Sequence, residues 1–238
     1  MFDIHSQRPS NTSPSRIIEF KDKSNVQQEK TNDERGSKAK AVVPIRSLGE
    51  NHRGRIAQHL LSLDAQDRYL RFGYTAQDAQ IQKYADQLNF ERDEVFGIYN
   101  RSLKLIAVAH LAIPDQRDFS NCAEFGVSVL SSARGRGYGG RLFERAALSA
   151  SNAGIKLMFI HALSENVAML KIARSAGALV ERDGSESEAY LQLPDATLDT
   201  HISEMIEEQV AQFDYRYKAQ AKQFRGFLKS LQSDQESE

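Results

Sequence analysis

A glycine-rich segment at residues 134–141 carries the residues best suited to chemistry in this chain. Four glycines fall within six positions, and three arginines surround them. An apolar, β-branched run precedes the segment and an Ala- and Leu-rich run follows it, which predicts a strand, a loop and a helix. Glycines permit positive φ angles and let an anion approach the main chain, while a helix start offers unpaired N–H groups. The segment therefore indicates a pyrophosphate site.

Two patterns fit this loop, and they disagree about its ligand. The spacing Gly135-x-Gly137-x-x-Gly140 satisfies the dinucleotide-binding fingerprint, which belongs in the first βα turn of a βαβ unit. Four residues separate the apolar strand from the first glycine, however, and too little chain follows the loop for the rest of such a domain. The context is therefore unfavourable to a dinucleotide.

The second pattern is Arg/Gln-x-x-Gly-x-Gly/Ala, present as residues 134–139. It resembles the acyl-CoA pyrophosphate loop of the GNAT superfamily of N-acyltransferases, which lies between the fourth strand and the third helix of that fold. The resemblance implies acetyl-CoA as the co-substrate, with loop main-chain groups on its phosphates and arginine side chains assisting. A turn without a ligand is the alternative. The implied cofactor-binding residues of the loop are Arg134, Gly135, Arg136, Gly137, Tyr138 and Gly139.

The periodicity of the chain predicts the order β, α, α, β, β, β, loop, α, β, α, β, β, which is typical of a mixed sheet with helices on both faces. This is also the element order of the GNAT fold, so the resemblance spans about residues 42–194. It implies an α/β (α+β) domain whose mixed central sheet is mostly antiparallel. The patterns predict a first strand at residues 41–45, a loop over residues 64–72, and a helix over residues 166–176 with Ser164 as its N-cap.

Three parts are predicted along the chain. Residues 1–40 are polar and lack apolar periodicity, which is typical of a disordered tail. Residues 41–194 form the GNAT domain. Residues 195–238 form a helical extension, in which apolar residues recur at three- and four-residue steps, as in one long amphipathic helix. Its apolar stripe packs back on the sheet, pairs with its twin in a homodimer, or binds another protein.

Acyl transfer to an amine needs a group that removes a proton from the amine. Glu124 is the first candidate, because it begins the strand that leads to the loop and family members often place a glutamate there. A solvent-facing glutamate at a strand end is the alternative. His161 is the rival base, since it lies on the neighbouring strand; the alternative is a core histidine on an apolar strand.

The resemblance also assigns main-chain and helix positions. It places the main chain around Val129 and Ser131 beside the thioester carbonyl. An Asn-led helix ending in glycine, over residues 164–177, is similar to a second motif of the family. Asn166 is then a cofactor-side hydrogen-bond partner, or simply a residue at the start of the helix.

One position departs from the family pattern. Many GNAT enzymes use a tyrosine seven residues after the motif asparagine to protonate the leaving thiolate, and this chain has Ala173 there. Three alternatives follow: Tyr138 or Tyr190 substitutes, the thiolate leaves unaided, or the domain binds acyl-CoA without turnover. A thiol is a tolerable leaving group because its pKa is only about 8.5.

The composition of the chain argues against several classes of protein. Lys and Arg number 31 against 32 Asp and Glu, so the net charge predicts neither a nucleic-acid nor a membrane partner. A single cysteine predicts no disulfide framework and no metal-ligand cluster. No stretch approaches 18 apolar residues and the N-terminus lacks an apolar signal segment, so we expect a cytoplasmic location.

The sequence thus predicts an N-acetyltransferase that moves the acetyl group of acetyl-CoA to a primary amine in a ternary complex. Residues 68–72, Arg-Tyr-Leu-Arg-Phe, are similar to a stretch in the GNAT domains of bacterial protein lysine acetyltransferases, which favours a protein lysine as the acceptor. The alternative is a catalytically silent acyl-CoA sensor that signals through the C-terminal helix.

Overall fold

The computed structural model describes residues 43–114 and 121–235. The predicted tail over residues 1–40 lies outside the described residues. Seven strands form one sheet in the order β1-β2-β3-β4-β5-β7-β6, and β4 and β5 are its parallel pair. The strands are β1 Arg46–Ser47, β2 Glu94–Tyr99, β3 Leu105–Ala112, β4 Cys122–Val129, β5 Leu157–Leu163, β6 Leu179–Asp183 and β7 Glu186–Gln192.

Helices cover both faces of the sheet. The face of β4 that carries Gly126 and Ser128 lies under α1 and α2, since His59 of α1 contacts Ser128 and Arg71 of α2 lies against Gly126. The opposite face packs on α4, where Phe125 meets Phe143 at 5.0 Å between ring centroids. The helices are α1 Arg53–Leu61, α2 Ala65–Phe72, α3 Asp78–Asp86, α4 Tyr138–Asn152, α5 Val167–Ser175 and α6 Leu198–Gln235.

The structure corrects the prediction of a loop at residues 64–72, because α2 occupies this segment. Asp64 caps the helix, its side chain accepting the N–H of Asp67 at 2.8 Å. Arg68 donates to the carbonyls of Leu61 and Leu63, at 2.7 and 3.1 Å, and so fixes the helix against the end of α1. Asp64 caps the start of the segment and Gly73, in the left-handed conformation, caps its end, so residues 65–72 form a helix instead of a loop.

The first strand is also displaced from its predicted position. The expected strand covered residues 41–45, whereas β1 is Arg46–Ser47 and pairs antiparallel with Gly97 and Phe96 of β2. Pairing with β2 rather than local apolar content defines this strand.

The parallel pair β4–β5 opens along its length. The two strands are in register at Cys122–Leu157, Ala123–Met158 and Glu124–Phe159, and both then continue without further pairing to each other. β4 stays paired with β3 from Glu124 onward, while β5 pairs with β7. The separation leaves one edge of β4 facing a groove.

The long C-terminal helix α6 packs its first turns against α4 and β1. Arg145 of α4 is buried and donates to Glu204 of α6 at 2.5 Å, while its guanidinium lies over the Phe96 ring at 4.7 Å. Glu208 accepts from the backbone N–H and hydroxyl of Ser47, at 3.2 and 2.8 Å. The predicted amphipathic helix is confirmed, and its polar contacts secure it to the domain.

Candidate active site

A groove of about 830 Å³ lies where β4 and β5 separate. The glycine loop and the start of α4 form one end, and the other end reaches Glu124, His161 and Glu186. One opening therefore joins the predicted phosphate site to both candidate bases.

At the loop end, the conformation of two glycines prepares the main chain for an anion. Gly135 and Gly137 both have φ of +75°, which is strained for any residue with a Cβ. Gly137 is the N-cap of α4 and supplies no side-chain acceptor, so the N–H groups of the first turn have no partner within the helix. These N–H groups and the positive end of the helix dipole suit the pyrophosphate of acetyl-CoA.

Some of the predicted donor-binding residues line the groove, and others lie beside it. Arg134, Gly135, Gly137, Tyr138 and Gly139 line the groove, and so does Val129. The lining does not include Ser131, which begins a short 3-10 helix, or Arg136, whose side chain is exposed. These last two residues are thus placed beside the groove rather than in its wall.

Arg134 is already engaged by protein groups. Its guanidinium forms an ion pair with Asp67 of α2 and also donates to the carbonyl of Val129 at 3.4 Å. Arg134 therefore ties the loop to α2 through its side chain.

Successive residues of β4 direct their main-chain N–H and C=O groups alternately to β3 and to the groove. The N–H of Leu130 donates to the carbonyl of Ile106 on β3 at 3.0 Å. Main-chain groups of successive residues in a strand point to opposite edges, so those of Val129, Val127 and Phe125 point toward the groove. The Val129 carbonyl accepts from Arg134, so the Val129 N–H and the main chain of Val127 are the groups that this edge offers to an extended, amide-containing ligand.

Glu124 and His161 lie on one face of the sheet. Glu124 is exposed, lines the groove and is the last β4 residue in register with β5. His161 is 48% exposed and lies 3.5 Å from Glu186 and 3.7 Å from Glu188 of β7. His161 is thus a solvent-facing residue among carboxylates, not a core histidine.

Asn166 has a structural role at the start of α5. Its side-chain oxygen accepts the N–H of Met169 at 3.1 Å, and its side-chain amide donates to the carbonyl of Leu70 at 3.2 Å. Asn166, and not Ser164 as predicted, is therefore the N-cap of α5. The Ser164 hydroxyl instead bonds to Ser187 at 2.8 Å, because the turn before β7 lies beside it.

The position at which the family has a tyrosine is buried in this structure. Ala173 is 1% exposed, so it faces the core. Among the substitutes, Tyr138 lines the groove, whereas the Tyr190 hydroxyl donates to Glu188. That hydrogen bond raises the pKa of Tyr190, which makes Tyr190 a weaker acid.

Sequence reasoning missed a chain of polar side chains on the same face as Glu124. Arg71 donates to the Tyr84 hydroxyl at 2.8 Å, and this hydroxyl lies 2.7 Å from Nδ1 of His110. Nε2 of His110 lies 3.1 Å from Asp93. Burial raises the pKa of Asp93, but hydrogen bonds from His110, Arg92 and the Ile113 N–H outweigh it and lower the pKa to about 2. The chain therefore ends on an ionised carboxylate.

Sequence reasoning also missed His59 of α1, which is buried behind β4. Its Nδ1 lies 3.1 Å from the carbonyl of Leu105, and a carbonyl can only accept, so Nδ1 carries the proton. Nε2 then accepts from the Ser128 hydroxyl at 2.8 Å. Burial lowers the pKa of His59 to about 4, so the ring is neutral at pH 7. The alternation along β4 was the only signal that could have placed Ser128 on this wall.

The family comparison agrees with this geometry. The model of the acetyltransferase (GNAT) family matches residues 57–178, just over half of the chain, and the chain therefore belongs to the GNAT acetyltransferase family. A comparison with curated proteins found no match.

Solved structures share the fold at low sequence identity. The GNAT domain of S. lividans PAT has a TM-score of 0.54 and 18% identity, over 63% of this chain and 89% of that one. A GNAT-family acetyltransferase from Streptococcus pneumoniae has a TM-score of 0.52 and 11% identity, over 63% of this chain and 98% of that one. The putative acetyltransferase yncA from Salmonella typhimurium, solved with its cofactor acetyl-CoA, has a TM-score of 0.50 and 17% identity, over 66% and 97%.

The predicted family and fold are thus confirmed. Acetyl transfer in this family uses acetyl-CoA as the co-substrate, and this expectation is confirmed with them. In the described ranges, no helix is long and apolar enough to cross a membrane. The same residues contain no cluster of three or more His, Cys, Asp or Glu arranged to hold a metal ion.

Proposed function

We propose that this chain transfers the acetyl group of acetyl-CoA to a primary amine by direct attack in a ternary complex. The observation that carries the proposal is the single groove that joins the glycine loop to Glu124. A donor bound along β4 places its thioester near the point where β4 and β5 separate. An acceptor then enters beside Glu124.

Main-chain groups hold the donor in this proposal. The N–H groups at the start of α4 bind the pyrophosphate, and the exposed edge of β4 binds the amide-containing arm. The N–H of Val129 lies on this edge and supports the donor near its carbonyl end. Tyr138 and Asn166 line the same groove, and Asn166 also caps α5.

Glu124 removes the proton in this proposal. The amine nitrogen attacks the thioester carbon, an N–C bond forms, and the C–S bond breaks with its electron pair on sulfur. The amine proton passes to Glu124, directly or through water, and the thiolate takes a proton from Tyr138 or leaves unprotonated. His161 is the alternative base on the same face, where it lies 3.5 Å from Glu186 and 3.7 Å from Glu188.

The leaving thiolate departs without a tyrosine at the usual position, because that position is Ala173, which is also buried. Tyr138 is the hydroxyl best placed to donate, since it lines the groove, whereas the hydrogen bond to Glu188 raises the pKa of Tyr190 and makes it a weaker acid. We propose that any proton donor is Tyr138, with unaided departure as the limiting case.

A protein lysine is our proposed acceptor. The support is the Arg-Tyr-Leu-Arg-Phe segment, which is similar to one in bacterial protein lysine acetyltransferases and which α2 places against β4. Ala173 favours a second candidate, a silent acyl-CoA sensor that reports occupancy through α6.

Calorimetric titration with acetyl-CoA and with CoA tests the donor half of the proposal. Gly137→Glu places a carboxylate and a Cβ in the phosphate cradle, and we expect at least about 1,000-fold weaker binding. Gly154→Glu is the matched control, because Gly154 also has a positive φ, of +80°, but lies at the far end of α4. Failure of the parent to bind either ligand overturns the proposed function.

An acceptor screen then separates enzyme from sensor. Release of CoA in the presence of lysine peptides, with an acetylated product of the expected mass, supports the transferase. Tight binding of acetyl-CoA without acetylation of any amine supports the sensor instead.

We also propose that α6 pairs with a second copy of the chain. Five of its apolar side chains are exposed at helical spacing: Leu198, Ile202, Met205, Ile206 and Val210. Sedimentation velocity should give a dimer for the parent and a monomer for Ile202→Glu. A monomeric parent contradicts this part of the proposal.

A further inference from the structure

Arg71 lies on the groove wall directly over Gly126 of β4. A Cβ at Gly126 would come within 2.8 Å of the guanidinium carbon of Arg71. The absence of a side chain at position 126 therefore lets the guanidinium rest against the main chain of β4. Arg71 lines both the groove and a small cavity behind it, so its charge lies between the two.

The orientation of Arg71 is fixed from behind. The ionised Asp93 carboxylate can only accept, so Nε2 of His110 donates to it. The Tyr84 hydroxyl lies 2.7 Å from Nδ1 of His110, and Arg71 donates to the Tyr84 oxygen, so these contacts connect Arg71 to Asp93. One corner of the guanidinium is thus held in place, and its other N–H groups are left for a ligand.

Arg71, unlike several arginines of the domain, forms no ion pair with a carboxylate of the described residues. Arg68 pairs with Asp78, Arg134 pairs with Asp67, and Arg145 pairs with Glu204. Within the two described ranges, no carboxylate lies at ion-pair distance from Arg71. A half-buried, oriented guanidinium with free donors in a groove is suited to bind a carboxylate through two parallel hydrogen bonds.

Arg71 lies at the acceptor end rather than at the phosphate end. Gly126 is two residues from Glu124, and alternate residues of a strand share one face. His110, which pairs with Gly126 across β3 and β4, is on this face as well. The cation of Arg71 therefore neighbours the proposed base, where an accepting amine would be.

The opposite side of this end of the groove is negative. Glu186 and Glu188 flank His161, and strand pairing places Glu181 of β6 beside Glu188. These carboxylates attract an ammonium group, whereas Arg71 attracts an anion. An acceptor whose ammonium group and anionic group lie close together complements both sides of the groove.

We propose that Arg71 is the acceptor-recognition residue and that it binds a carboxylate next to the accepting amine. The inference rests on the proposed function and specifies its substrate class. The carboxylate comes from one of two sources: the acceptor's own α-carboxylate, in a free amino acid, or an acidic side chain beside the lysine of a peptide.

The first experiment varies the acceptor and leaves the protein unchanged. Free L-amino acids are compared with their primary amides, and blocked peptides with one lysine between two Asp residues are compared with the Asn equivalents. We expect kcat/KM to be about 10- to 100-fold higher for the acid of the relevant pair, as for loss of a charge-assisted hydrogen bond. Preference in the first pair identifies a free amino acid, and preference in the second identifies a peptide.

The second experiment varies the protein. Arg71→Gln should abolish the preference by raising KM for the acid while leaving KM for the amide within about twofold, and Arg71→Lys should restore only part of it. Tyr84→Phe should weaken the preference about 3- to 10-fold, because the guanidinium loses its anchor. Arg174→Gln, at a surface position of α5, is the control, and calorimetry with acetyl-CoA checks that each variant folds and binds the donor.

The outcomes separate the inference from the proposed function. Acetylation with equal kcat/KM for acids and amides overturns the inference and leaves the transferase intact. A preference that persists in Arg71→Gln also overturns it, since another residue then binds the carboxylate. Acetylation of no amine at all overturns both.

Discussion

The two ends of the groove are built in different ways. The donor end consists of consecutive residues, from Arg134 to Gly140, and it works through main-chain N–H groups. The acceptor end combines side chains from distant segments: Arg71 from α2, Tyr84 from α3, His110 from β3 and Glu124 from β4. In the function that we propose, binding of the co-substrate depends on backbone conformation, whereas selection of an acceptor depends on side chains brought together by the fold.

This contrast explains how one family can keep its donor and change its acceptor. A backbone cradle is preserved by any sequence that keeps the glycines and the helix start. A site made of side chains from four elements changes with single substitutions, and fold alone does not fix it. The three predictions below test whether the two ends act independently.

The largest effect should come from Glu124→Gln. If Glu124 is the base, the variant should lower kcat about 1,000-fold, equivalent to about 4 kcal/mol, because the amine keeps its proton. Its affinity for acetyl-CoA should stay within about twofold, measured by calorimetry. The control is His161→Gln, which should retain most of the activity; a reversal of the two results would make His161 the base.

A smaller effect is expected in the pH dependence of stability, through His59, which is buried behind β4 at the acceptor end. Unfolded histidine binds a proton near pH 6.5, whereas folded His59 does so only at about pH 4. The unfolded state therefore binds more protons in this window, and His59 contributes stability that is present above pH 6.5 and is lost as the pH falls toward 4. The loss should approach about 3 kcal/mol in urea unfolding.

Two variants isolate this contribution. His59→Gln should remove most of the stability difference between pH 7 and pH 4. His161→Gln should keep the difference, because His161 is half exposed. An unchanged pH dependence in His59→Gln would show that other groups, and not the acceptor wall, control acid stability.

The smallest effect tests the link between the two ends. Asp67 pairs with Arg134 of the loop and lies four residues before Arg71 on α2, so one helix connects donor and acceptor sites. Asp67→Asn should lower the free energy of unfolding by about 1 kcal/mol, since the arginine is half exposed. It should also weaken acetyl-CoA binding severalfold. Loss of stability with unchanged binding would show that the ion pair holds the fold but does not shape the loop.

The sequence by itself determined the features that depend on neighbouring residues. The glycine spacing predicted the loop, the Ala- and Leu-rich run after it predicted the helix that became α4, and Glu124 was placed on the strand that leads to the loop. The order of the elements was predicted apart from α2. These features follow from local propensity, periodicity and positive-φ positions, which a short window of sequence contains.

Only the tertiary structure decided how distant groups meet. Sequence could not show that Arg71 rests on Gly126, that Arg134 is engaged by Asp67, or that Asn166 caps α5 while holding Leu70. The contacts of Arg71 with Gly126, of Arg134 with Asp67 and of Asn166 with Leu70 each join segments that are far apart along the chain. Hydrogen bonds between such segments depend on relative positions in space, which local sequence patterns do not encode.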